Sequence, residues 1–198
     1  MSKILAIDPG NERSGWVEMI DEKPIAWGWD TNLDVRLRVD GDKWGAVVIE
    51  YMRPRGMPTS QDEMDTMFEL GRMTARLPVD EIAKVSRKDV KMFLLGRATG
   101  TDQHIRQALI DLFGGDRHAI GGIKCKTCKG KGWNGAGRPR CMDCHHTYEA
   151  GADQNIVYPI GCGYEVHPGV LHGVTGHAWS ALGVGVTYIA AANSEVAM

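Results

Sequence analysis

No apolar run in this sequence reaches the roughly 18 residues that a membrane-spanning helix requires. The opening MSKILAIDPG has its apolar segment broken by Asp8, too early for a secretory signal, so the expected location is the cytoplasm. Cysteine is scarce as well. There are 5, of which four fall into two close pairs, a usage that fits metal binding in a reducing compartment better than a secreted disulfide framework. The chain also lacks the basic excess of many nucleic-acid binders, with a formal net charge of -2, and it contains no internal repeat. What it does have is 198 residues at 43% hydrophobic content, enough for one core and a small appendage.

The charge is unevenly placed. Residues 84–106 hold six bases against two acids, and residues 121–140 hold six bases (Lys124, Lys126, Lys129, Lys131, Arg138 and Arg140) and no acid. Together they carry 12 of the 23 Lys and Arg residues, while the acids gather between Glu18 and Asp42 and between Asp62 and Glu69. Such segregation either builds a local positive surface for phosphates or leaves an ordinary solvated face.

KILAI is a short apolar run ending at an Asp-Pro-Gly turn, and WVEMI with PIAWGWD continues it as an antiparallel meander. A further strand, AVVIE, ends at Glu50. Ser60 and Glu63 form a capping box before a helix whose Met64, Met67, Phe68 and Gly71 share one face, stopped by Pro78. Ile105, Ala108, Leu109 and Leu112 predict another helix, opening near Thr101 and ended by Gly114-Gly115. Between Gly121 and Gly151 apolar periodicity disappears, which marks residues 121–151 as an insertion. HAWSALGVGVTYIAA then reads as a buried C-terminal helix.

Asp8 and Glu50 each close an apolar strand, where an ionised carboxylate is costly to bury unless a cation compensates it. Side by side, they would suit a magnesium site for phosphoryl chemistry; singly, each would be an ordinary strand-end acid. Four segments in order, IDPGNERSGW, VVIEYM, KVSRKDVKMFLLGRATGTDQHIRQAL and HAWSALGVGVT, resemble the RuvC family of Holliday junction resolvases. The family's opening turn is matched by Asp8, Pro9, Gly10, Ser14, Gly15 and Trp16, and its second acid by Glu50. Its basic segment is matched by Arg87, Val90 and Lys91, followed by a helix from Gln103 to Leu112.

The resemblance implies an α/β fold, an RNase H-like mixed sheet flanked by helices, over residues 1–120 and 152–198. It also implies a homodimer that nicks four-way junctions symmetrically, with Mg2+ or Mn2+ on Asp8, Glu50 and His177 and with Arg87 and Lys91 on the DNA. Compact size and the insertion point to a phage-type member, in a bacterial or phage-infected cell. Two departures stand out. Where most members carry two acids three apart at the start of the last helix, this chain has His177 and Ser180, so either a second metal is held more loosely or a carboxylate from Asp143, Asp153 or Glu165 replaces the missing acid. The link between the meander and Glu50 also reads as too short for the family's first helix.

Cys125-x-x-Cys128 and Cys141-x-x-Cys144, twelve residues apart, have the spacing of a structural zinc site, and four thiolates on Zn2+ would order a segment with almost no apolar residues. Lys126, Lys129 and Lys131 in that ribbon are candidate contacts to DNA backbone. Three other readings remain: a broader nuclease for forks and flaps, a phosphotransferase of the actin-like ATPase class, and an inactive junction-binding protein. The phosphotransferase needs two lobes and is disfavoured by length.

Overall fold

The computed structural model describes residues 3–52, 58–75, 77, 82–121, 148–150, 157–159 and 169–196. The chain divides into two compact units, Met1–Ala108 with Val174–Met198, and Leu109–Gly173.

In the first unit, β1 (Lys3–Asp8), β2 (Arg13–Ile20), β3 (Lys23–Thr31), β4 (Ala46–Tyr51) and β5 (Ile82–Ser86) form one mixed sheet. Its strand order is β3-β2-β1-β4-β5. The meander β1–β2–β3 is antiparallel, and β4 and β5 run parallel to β1. Parallel neighbours need a crossover, and the first is α1 (Asn32–Gly41). The helix absent from the sequence expectation is therefore present. Ten residues suffice because Thr31 caps it, accepting a hydrogen bond from the Asp34 N–H, while Val35 and Val39, one turn apart, are fully buried.

The second crossover contains α2 (Gln61–Thr74), opened by the expected Ser60–Glu63 capping box. Its Met64, Met67 and Phe68 face solvent, and Thr66, Leu70 and Met73 are the residues it buries. After β5 come α3 (Arg87–Leu95) and α4 (Asp102–Leu112), and α6 (Ala178–Val196) ends the described chain. The short α5 (Asp116–Ala119) follows α4 in chain order.

Alternation along the strands sends side chains to two cores. Leu5, Ile7, Trp16, Val47 and Ile49 pack with Val35 and Val39 of α1 and Leu70 and Met73 of α2. The residues between them, including Ile4, Ala6 and Met19, face α6. A Cβ on Gly185 would lie 2.6 Å from Met19 Sδ and 3.1 Å from Ala6 Cβ, so glycine lets α6 approach the sheet this closely. Asp8 and Glu50 continue the even-numbered series of their strands and therefore lie on the α6 face.

The second unit includes α5 and a two-stranded antiparallel pair, β6 (Tyr148–Ala150) and β7 (Val157–Pro159). Of residues 121–151, only 121 and 148–150 are described, so the ribbon cysteines and lysines lie outside the described residues. Among the described residues, no helix is long and apolar enough to cross a membrane.

Candidate active site

The strand register gathers the site into one rung of the sheet. Asp8 pairs with Gly15, and Gly15 with Trp29. On the other side of β1, Ile7 pairs with Ile49, so Asp8 and Glu50 are the next residues on two parallel neighbours. Glu50 in turn pairs with Val85. Laterally paired residues share a face, which sets Glu50, Asp8 and Trp29 on the α6 side with a bare glycine between the last two.

That glycine makes room for the approach to α6. A Cβ at Gly15 would meet the main chain of His177 at 2.5 Å (its O) and 2.6 Å (its C). His177 precedes the helix, and its carbonyl accepts from the Ala181 N–H, the first turn of α6. Its ring Nδ1 lies 3.0 Å from Asp8 Oδ2. The ring also stacks on Trp29, with centroids 5.7 Å apart and planes 26° apart.

The turn after Asp8 is held by a buried polar network. Ser14 Oγ donates to Asn32 Oδ1 at 2.8 Å, and Asn32 Nδ2 donates to the carbonyls of Gly10 and Asn11, each at 3.0 Å. Ser14 and Asn32 are both buried, and these bonds satisfy them. The first residue of α1 thus secures the turn that leads out of the carboxylate strand.

Glu50 is pushed up to about 7, first by burial and then by the charge of Asp8, with Arg87 opposing the shift. Arg87 Nη1 lies 3.4 Å from Glu50 Oε2, and the guanidinium also pairs with Asp102 at the start of α4. The hydrogen bond to Asp8 raises the His177 imidazole above its ordinary 6.5, with the charge of Asp8 adding to it and burial opposing. Two like charges in a half-closed, low-dielectric site are the arrangement that a divalent cation relieves, and carboxylate oxygens are the donors hard cations prefer.

The structure thus sets Asp8 beside Glu50 on the neighbouring strand and against the His177 ring, with Arg87 on Glu50. Among the described residues, no group of three or more His, Cys, Asp or Glu side chains is spaced to hold a metal ion. Asp8 is engaged by His177 and Glu50 by Arg87, so a cation would have to exchange with those partners. Lys91 stands one turn after Arg87 on α3, half-buried. Ser180 is in the first turn of α6, and Asp143, Asp153 and Glu165 lie outside the described residues. Sequence reasoning missed Asn32, Trp29 and Asp102. Asn32 follows the meander directly, and Trp29 becomes visible once β3 is set in register against Gly15.

No family model and no curated protein sequence matches this chain. Among solved structures it is similar to RuvC of Thermus thermophilus, at 12% identity and a TM-score of 0.53, over 98% of this chain and 96% of that one. It is also similar to T. thermophilus RuvC in complex with a Holliday junction substrate, at 12% identity and a TM-score of 0.50, over 98% and 97% of the two chains. At this identity the likeness shows the fold: a RuvC-like, RNase H-like α/β arrangement of a mixed five-stranded sheet with flanking helices.

Proposed function

We propose that this chain is a Holliday junction resolvase, a metal-dependent endonuclease that hydrolyses phosphodiesters in four-way DNA junctions by symmetric nicks. One observation carries the reading: Asp8 and Glu50 end neighbouring strands of a RuvC-like sheet, and His177 Nδ1 lies 3.0 Å from Asp8 Oδ2. The Thermus relative solved with a Holliday junction substrate supports the choice of DNA.

In this reading Asp8, Glu50 and His177 would hold magnesium or manganese once the two carboxylates exchange their present partners, and the cation would supply water activation and charge neutralisation at the phosphate. The protein's own groups prepare that chemistry. Asp8 fixes the imidazole through Nδ1, which leaves Nε2 as the ring atom available to a water, and His177 would join a cation's ligands only after that hydrogen bond is exchanged. Burial keeps a proton on Glu50 up to about pH 7, so cation and proton compete for its carboxylate. Arg87 neutralises Glu50 before substrate arrives, and with Lys91 it holds the phosphate afterwards.

Cys125, Cys128, Cys141 and Cys144 hold a structural Zn2+ in the same proposal, and Lys126, Lys129 and Lys131 lie against DNA backbone. The chain works as a homodimer, since paired nicks in a nearly two-fold junction need two centres. Side-by-side cleavage of a synthetic four-way junction, a fork and a flap tests the substrate. Symmetric nicks confined to the junction are expected, and equal cutting of all three would replace the resolvase with a broader branched-DNA nuclease.

A further inference from the structure

The geometry points to Trp29 as a positioning residue for His177, and its catalytic consequence rests on the nuclease reading above. Trp29 lies on β3, the outer strand of the sheet, and is 46% exposed, so core packing does not account for an indole there. It shares its rung with Asp8, and Gly15 between them leaves a slot. The His177 main chain sits over that slot, in contact with the position a Gly15 Cβ would fill. One wall is Asp8, hydrogen-bonded to Nδ1, and the other is the indole, stacked on the ring at 5.7 Å and 26°. That separation and tilt fall in the range of offset-stacked ring pairs.

A hydrogen bond alone leaves the imidazole free to swing about the Asp8 oxygen. Contact with a flat face on the other side removes that freedom, because the ring plane must follow the indole. The indole is itself fixed. Arg13 lies over the Trp29 ring with its guanidinium carbon 4.3 Å from the centroid, and Arg13 Nη2 donates to the Trp29 carbonyl at 2.6 Å. Arg13, Trp29, His177 and Asp8 therefore form a chain of contacts across β1, β2, β3 and the start of α6. It sets the direction in which Nε2 is presented.

The test uses the full-length protein and a synthetic four-way junction, with Trp29→Ala, Trp29→Phe, His177→Ala and the Trp29→Ala/His177→Ala double variant. Single-turnover cleavage at saturating junction is expected to slow about 10- to 100-fold in Trp29→Ala, the scale of a misplaced reacting group, with the junction Kd within about twofold of wild type. Trp29→Phe, which keeps a flat ring, should recover most of the rate. The double variant should be no slower than His177→Ala, because the two residues act through one atom. A raised Kd with an unchanged saturated rate would overturn the proposal and make Trp29 a platform for a DNA base, as would additive losses in the double variant. The His177 ring-proton resonances, assigned through His177→Ala, give a readout without activity. Trp29→Ala should shift them and Trp29→Phe should retain part of the ring-current effect. If wild type cuts no junction the nuclease reading fails, and unchanged His177 resonances in Trp29→Ala would separately overturn the positioning role.

Discussion

Glu50 gives the sharpest test of the electrostatics, because its ionisation is coupled to folding. Its carboxyl is pushed from the ordinary 4.5 to about 7, first by burial and then by the neighbouring Asp8, with Arg87 offsetting part of the effect. Below pH 4.5 both folded and unfolded chains keep this proton. Between 4.5 and about 7 the unfolded chain releases it while the folded chain retains it, so the unfolded state gains and stability falls as pH rises. Above about 7 both states are ionised and the contribution is flat. The interval corresponds to roughly 3 kcal/mol.

Glu50→Gln removes the ionisation and retains the size. In metal-free buffer, urea denaturation at pH 5, 6, 7 and 8 should show wild type losing stability relative to the variant across this range. The gap should reach on the order of 2–3 kcal/mol in the variant's favour at the alkaline end. Magnesium should narrow it, since a cation stabilises the ionised carboxylate. Parallel profiles for the two proteins, with no change in their difference from pH 5 to 8, would mean that Glu50 does not hold its proton in the folded chain.

Asn32→Ala should cost about 1–3 kcal/mol in urea denaturation, because it strips the buried Ser14 hydroxyl and two carbonyls of their partner. Gly15→Ala should lower both stability and junction cleavage, since its methyl would need space that the His177 main chain occupies at 2.5 Å; wild-type cleavage by this variant would contradict the close approach. Elemental analysis should find about one zinc per chain, as a four-cysteine site requires, and Cys125→Ser should lower that content; a zinc-free purified protein would remove the ribbon.

Much of the first unit was legible because its signals are local. The meander showed in short apolar runs of strand-favouring residues, α2 in its Ser60–Glu63 box, and α6 in a stretch hydrophobic nearly all round. The apolar residues α1 buries are few, Val35 and Val39 among charged neighbours, so no apolar face announced it and only the chain crossover required it. The apolar face of α2 misled for the opposite reason: Met64, Met67 and Phe68 repeat at helical spacing yet lie in solvent, and Leu70 and Met73 carry the packing.

At the site, Asp8 and Glu50 were readable as strand-end acids, and His177 only through its place in a family pattern. Their mutual geometry was not readable, because it depends on the β1–β4 register and on a glycine opposite the helix start. Arg87 illustrates the limit. Its basic segment marked it for DNA, whereas in the folded chain its guanidinium is shared between Glu50 and Asp102, a carboxylate 15 residues away that spacing does not single out.

In the proposed function, Asp8 and Glu50 at the strand ends, with His177 against Asp8, hydrolyse DNA at a four-way junction. Its most direct test is incubation of wild type and Asp8→Asn with a labelled synthetic junction, in magnesium and in manganese. Paired symmetric nicks by wild type in at least one metal, and none by Asp8→Asn despite retained junction binding, are predicted. Binding without cutting by wild type in both metals, or undiminished cutting by Asp8→Asn, would contradict it.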